Sequence, residues 1–348
     1  MKRNTTAILA LILLLVIAIT TGCGKADTEA VSKAVDQSKL QKVVIAQPAG
    51  SGESWQPVYI ASYLGYFKEN GLDVSFANFA GGPLVITSLL AGDSQFALTG
   101  YEQVMKTNEK GKDTKMIVAT SAKHPWALIV AKDIKTIADL KGKTISGGMD
   151  GSSPRGFVRA VVKYGGLDPN KDVQYISLPA GGEIGALGSG QISATYGGSK
   201  IKIDLQKRGY RVLVDLADSE QHRKVLGADN YPLFVIQVTE DYITKNPETV
   251  QKFTDAVVKA MNWENNHSTE EIAKVIAPLY PNMEKNTIVE VIDDTKKTLS
   301  SDGYFTQEGH DAAVRLSLDA GLITKPLSME SVVDQSFLKN AHTKLDNK

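Results

Sequence analysis

Three short loops combine glycine with serine or a helix-starting proline: Gly50-Ser51-Gly52, Gly81-Gly82-Pro83 and Gly151-Ser152-Ser153-Pro154. Glycine lets the backbone approach a ligand closely, serine adds a hydroxyl, and a helix start presents unpaired N–H groups with partial positive charge. Ordinary turn and capping chemistry explains any one of these loops. Three together point to a ligand cleft. Arg155, expected as the second residue of a helix opened by Pro154, opposes the helix dipole by about 0.3–1 kcal/mol if exposed. A bound anion would remove that conflict; a solvated surface arginine is the alternative. Trp55, Tyr101, Trp126, Tyr196 and Tyr231 stand near these loops. Each offers a planar apolar wall with one polar handle, although core packing accounts for any one of them equally well.

Sets that would support catalysis are missing from the sequence. The five histidines, at 124, 222, 267, 310 and 342, have no close metal-ligand spacing. Gly142-Lys143-Thr144 ends like a phosphate-binding loop, but Ile137 stands where its first glycine is required, and the segment precedes a strand. No G-x-S-x-G elbow occurs. We therefore expect no catalytic residue, no metal and no cofactor.

The elements that must position these loops alternate along the chain. Short β-type runs at Val43–Ala46, Leu72–Phe76, Phe96–Leu98 and Met116–Ala119 are separated by helical stretches near Pro57–Phe67 and from Pro83. The rhythm resumes with Thr144–Ser146, a helix at Pro154–Tyr164, then Val173–Ile176, Ala194–Tyr196 and Val212–Val214. This predicts two α/β units, each a mainly parallel sheet flanked by helices. After Leu233–Val238 the chain turns helical, with Asn246 and Pro247 opening a helix whose stripe is Val250, Phe253, Val257 and Met261. A faint repeat links the units: Leu89, Gly92 and Gly100 recur 98 residues later as Leu187, Gly190 and Gly198. It would place Thr99, Gly100 and Tyr101 at a strand's carboxyl end in one unit and Gly197, Gly198 and Ser199 in the other, where open α/β sheets bind ligands.

Composition narrows the setting. Lys2 and Arg3 precede a 13-residue apolar run, Ala7–Ile19, then Thr20, Thr21, Gly22 and Cys23. A spanning helix needs about 20 such residues, so residues 1–22 read as a signal peptide of the lipoprotein type. Cys23, the only cysteine in 348 residues, is placed to receive the lipid. Residues 23–42 then form a lipidated cysteine and flexible tether. Without the leader the chain carries 37 basic and 39 acidic residues, a formal charge of −2 that argues against a nucleic-acid partner.

The run Ala61-Ser62-Tyr63-Leu64-Gly65-Tyr66-Phe67-Lys68-Glu69-Asn70-Gly71-Leu72-Asp73-Val74 resembles a segment of the ABC-importer solute-binding proteins for nitrate, sulfonates, taurine and thiamine-pyrimidine precursors. Leu90-Ala91-Gly92, Ile137-Ala138-Asp139-Leu140-Lys141-Gly142-Lys143, Gly166-Leu167-Asp168-Pro169 and Asp172-Val173 extend the similarity from residue 43 onward. Gln95 and Ser193 depart from it, standing where family members often carry aspartate.

The resemblance implies a two-lobed, type 2 periplasmic-binding-protein-like fold with the ligand between the lobes. Lobe 1 would comprise residues 43–127 and 237–348, and lobe 2 residues 128–236, with crossings near Ala127–Ala131 and Leu233–Val238. The expected ligand-facing residues are Ser51, Trp55, Gly82, Thr99, Gly100, Tyr101, Trp126, Ser152, Ser153, Arg155, Tyr196, Gly198 and Tyr231. The implied protein is a monomeric lipoprotein on the outer face of the cell membrane that hands a small molecule to ABC permease subunits. A sulfonate-like anion and a planar heterocycle both remain open as that molecule. An enzyme on the same fold, or a sensory or scaffold lipoprotein, is the competing reading.

Overall fold

Runs of β-branched and aliphatic residues become strands, and the inner ones, at Phe96–Gly100, Ala127–Val130 and Phe234–Thr239, are buried almost throughout. The computed structural model describes residues 40–50 and 52–347; the signal-peptide segment, Cys23, the tether to residue 39 and Ser51 lie outside the described residues. The first sheet has the order β2-β1-β3-β10-β4, from β1 (Gln41–Pro48), β2 (Leu72–Phe79), β3 (Phe96–Gly100), β4 (Thr114–Ala119) and β10 (Phe234–Thr239). The second has the order β7-β6-β8-β5-β9, from β5 (Ala127–Val130), β6 (Thr144–Ser146), β7 (Gln174–Ile176), β8 (Ala194–Gly197) and β9 (Arg211–Asp215).

The two sheets repeat one plan. In each, the first three strands of the order run parallel, and the fourth, β10 or β5, is antiparallel to both its neighbours. Those antiparallel strands are where the chain has just crossed from the other lobe. The crossings occupy residues 120–126 and 227–233, and a hydrogen bond from Tyr231 N–H to the Ala122 carbonyl (2.8 Å) ties them together.

Three expected boundaries move. Ala127 opens β5 and pairs with Gly197 and Asp215, so it belongs to the second sheet and the crossing precedes Ala127–Ala131. Gln41 and Lys42 belong to β1, because the ladder with Leu72 and Asp73 extends through them, so the tether ends sooner. Phe234, Val235 and Ile236 pair with β3 and β4, so they belong to the first sheet and not to the second lobe.

One core runs beneath both sheets. Val43, Ile45, Phe96, Leu98, Val118 and Ile236 in the first lobe and Leu128, Val130, Ile145, Phe157 and Val161 in the second are fully buried. Each such side chain contributes about 1.5–3 kcal/mol by leaving water. The helix Pro247–Asn265 covers the first sheet, with Val250, Phe253, Val257 and Met261 buried as its spacing predicts. Asn246 precedes that helix, but its side chain makes no capping hydrogen bond.

Candidate functional site

The carboxyl ends of the parallel strands converge from both lobes on a cavity of about 400 Å³. The first lobe contributes Pro48 at the end of β1 with Ala49 and Gly50 after it, Ala80 and Gly82 after β2, and Thr99 and Gly100 from β3. Across from them stand Leu178, Ala180 and Gly181 after β7, Ser153 and Pro154 beyond β6, and Tyr196, Gly197 and Gly198 at the end of β8. The volume lies within the range of small-molecule sites.

Aromatic rings form much of the wall. Trp55 and Phe234 have ring centroids 4.8 Å apart, Trp126 and Phe234 5.8 Å, and Trp126 and Tyr196 5.2 Å. Trp55 is fixed by its indole N–H, which donates to the Val235 carbonyl at 3.2 Å. These rings are packed and largely buried, so they offer ready-made apolar faces at little entropic cost.

The lobes meet around the cavity through side chains. Ser153 Oγ donates to Glu102 Oε2 at 2.7 Å, and Gln103 Nε2 donates to the Gly151 carbonyl at 2.7 Å. Tyr231 OH donates to the other oxygen of Glu102. Burial raises the Glu102 carboxyl above its ordinary value, against the lowering effect of these two donors. On the far side, Lys202 in the helix Ser199–Lys207 pairs with Asp215 of β9 and with Asp294 of the first-lobe helix Lys285–Lys296, both at 2.7 Å.

Eight of the thirteen expected residues line this cavity: Trp55, Gly82, Thr99, Gly100, Trp126, Ser153, Tyr196 and Gly198. Four do not. Tyr101 is fully buried beneath β3, its hydroxyl 2.7 Å from His310 Nδ1. Tyr231 is fully buried on Glu102. Ser152 Oγ donates to its own loop at the Met149 carbonyl, 2.6 Å away. Arg155 turns back to brace the same loop: it donates to the carbonyls of Gly147 (3.3 Å) and Gly148 (2.8 Å) and covers the Tyr175 ring at 4.7 Å. Asp150, 3.6 Å from Arg155 Nη1, supplies the negative charge that an external anion was expected to bring. Ser51 lies outside the described residues.

Glu53, Gln103, Glu183, Lys200, Asp204 and Phe234 also line the cavity, although sequence reasoning did not select them. Glu53 directly follows Gly52, Glu183 follows Gly181-Gly182, and Lys200 follows Gly198-Ser199. The glycine signal that marks the other loops reaches these positions, but acidic side chains are not the donors that a bound anion requires. Burial raises the Glu53 carboxyl, partly countered by the charge of Lys200. Burial raises Glu183 as well, against the backbone N–H groups of Glu183 and Gly181. Asp204 is held by Arg208 Nε at 3.0 Å. Among the described residues, no group of three or more His, Cys, Asp and Glu side chains could hold a metal ion.

The sequence profile described as "NMT1/THI5 like" matches residues 53–271. The chain belongs to the NMT1/THI5-like family. The chain is similar to YtlA of Bacillus subtilis, described as a binding protein, which is 28% identical over 86% of this chain and 90% of its own length. A second Bacillus subtilis protein, described as an aliphatic sulfonates-binding protein, is 24% identical over 98% and 97%. A solved Bordetella bronchiseptica structure superposes with a TM-score of 0.79 at 26% identity, over 88% of this chain and 98% of that one. The family fold is the two-lobed, periplasmic-binding-protein-like α/β architecture expected from the sequence. The desulfurization enzyme DSZB shares it too, at 17% identity, with a TM-score of 0.63 and 88% and 99% of the two chains covered.

Proposed function

We propose that this protein is the extracytoplasmic solute-binding subunit of an ABC importer, anchored as a monomer through a lipid on Cys23. The observation that carries the reading is the cavity, closed from two lobes by six parallel strand ends and walled by rigid aromatic rings. Among the described residues, 120–126 and 227–233 link the strands of one sheet to those of the other, which suits hinge opening and closure around a solute. The relatives by sequence are described as binding proteins. In this reading the solute leaves unaltered, and Trp55, Thr99, Trp126, Ser153 and Tyr196 contact it.

No helix among the described residues is long and apolar enough to cross a membrane, so attachment in this reading rests on the acylated cysteine. Two lipid chains on one residue give stable anchoring, at about 0.8 kcal/mol per buried CH₂. Purification from membranes with detergent, followed by mass spectrometry, should find a diacylated Cys23 as the first residue and a bound solute that is recovered chemically intact. An unmodified Cys23 would remove the anchor. Conversion of the solute by the purified protein would move it to the enzyme class that DSZB exemplifies.

A further inference from the structure

His222 joins the two crossings. It belongs to the helix Ser219–Leu226 of the second lobe, yet its ring reaches both stretches of chain. Nδ1 lies 2.7 Å from the Ala228 carbonyl in the second crossing, and Nε2 accepts the backbone N–H of His124 in the first at 3.1 Å. A carbonyl takes only a donor and an N–H only an acceptor, so the two bonds together require a neutral ring with its hydrogen on Nδ1. Both imidazoles are fully buried. The His124 ring stacks on Phe157 at 5.1 Å and meets Trp126, part of the cavity wall, edge-on at 5.1 Å. Its Nε2 has no partner among the described residues.

We infer that His222 is a proton-sensitive clip on the hinge: the neutral ring holds the two crossings together while the lobes are closed, and a proton on Nε2 releases them. The added hydrogen would point at the His124 N–H, setting two donors face to face, and the link to the first crossing is lost. Little around the ring would welcome a charge. Asp229 and Glu308 are the nearby acids, but Asp229 pairs with Arg223 at 2.6 Å, and Glu308 accepts from the Asp229 N–H at 2.8 Å. Lys123 adds a like charge from the first crossing, and Tyr231, 5.2 Å from the His124 ring, spends its hydroxyl on Glu102. Burial holds both rings below the ordinary imidazole value of 6.5, against the pull of the Ala228 carbonyl on His222. The closed form therefore keeps its full advantage above about pH 6.5 and loses it as the pH falls below that value toward the depressed one, because opening lets the ring take a proton. A solute captured near neutral pH is held less tightly in acid.

This inference rests on the solute-binding reading, and amide exchange, which needs no solute, tests it separately. Exchange at the His124 and Tyr231 amides of the full chain is followed from pH 8 to pH 5 and corrected for its intrinsic pH dependence, with the amides of β5 as reference. One ring that regains its ordinary value on opening raises the open population up to about thirty-fold over that range. The expected result is a loss of protection of about that size in the parent and a clearly smaller one in His222→Gln, whose amide can hydrogen-bond but does not titrate. Nitroxide labels at Asp93→Cys and Gln191→Cys, exposed positions in the turns before β3 and β8, should shift in separation over the same range. Nitrogen-15 NMR of the parent's histidines tests the clip even if the variant does not fold: at pH 8 the His222 ring should be neutral with its hydrogen on Nδ1. A hydrogen on Nε2, protection that ignores pH, or an equal loss in folded His222→Gln overturns the clip. Exchange that quickens at a fixed label separation overturns its coupling to the lobes. Each of these results leaves the solute-binding reading standing, which falls instead if the purified protein converts its bound solute.

Discussion

The corners at Gly100 and Gly198 occupy the same place in the two sheets, each after the third strand of the order and each preceding a helix. Their surroundings differ. A Cβ on Gly100 would lie 2.1 Å from Ser153 Oγ, because the other lobe's helix already fills that space. A Cβ on Gly198 would meet only the Trp126 ring, at 3.8 Å. The first corner is therefore an interlobe joint, and the second keeps room for a solute. The means of joining differ as well. Glu102 beneath Gly100 is held by two hydroxyl donors, whereas the helix after Gly198 is held from behind by the ionic Lys202–Asp215–Asp294 cluster.

The largest expected effect comes from breaking the ionic joint. Lys202→Met leaves two carboxylates in a site where the lysine is 4% exposed, and should cost about 3 kcal/mol in urea denaturation, toward the low end for buried pairs because Lys297 still reaches Asp294 at 3.1 Å. A loss below about 0.5 kcal/mol would show that the cluster does not hold the second corner. Gly100→Ala should follow, costing about 1–3 kcal/mol as the new methyl drives Ser153 off Glu102. The matching Gly198→Ala should leave melting nearly unchanged and weaken solute binding. Equal stability losses at the two glycines would erase the distinction between joint and pocket.

A smaller contrast is in pH. The Glu102 carboxyl is raised by burial, so folding favours its protonated form; that contribution is full below about pH 4.5 and is lost as pH rises through the raised value. For Asp294, burial alone would raise the carboxyl, but the hydrogen bond and charge of Lys202, with Ser199 and Lys297, outweigh it and hold the carboxyl below 3.8. Its contribution is present above that value and fades as pH falls. Denaturation across pH 3–8 should therefore show Glu102→Gln gaining on the parent toward neutral pH, and Asp294→Asn losing its deficit toward acid. Parallel pH curves for the two variants would contradict the assignment.

Much of this comparison was legible in the sequence. The spacing of Leu89, Gly92 and Gly100 against Leu187, Gly190 and Gly198 gave the two corners, and Gly92 and Gly190 do take the positive φ (82° and 74°) that such tight turns require. Every expected strand formed, because runs such as Val43–Ala46 and Ala127–Ala131 are buried on both faces and carry a strong apolar signal. Side-chain direction was not legible. Arg155 at a helix start leaves both an external anion and plain solvent open, yet its guanidinium turns to the carbonyls of Gly147 and Gly148, eight and seven residues before it. Tyr101 follows a strand end and Tyr231 lies in the crossing that leads into β10, but His310 and Glu102, 209 and 129 residues distant, draw their hydroxyls inward. Local sequence carries no trace of such partners.

The placement of β10 also fixes an order of events during synthesis. Residues 127–215 hold all five strands of the second sheet in one stretch, so that sheet has its full set soon after it emerges. The first sheet waits: β10 belongs between β3 and β4, and until residues 234–239 arrive those two strands have no common neighbour. A chain that had emerged only to residue 226 would hold every strand of the second sheet but leave β3 and β4 with bare inner edges, the kind of surface that recruits foreign strands. The final step is the insertion of one strand into a waiting slot.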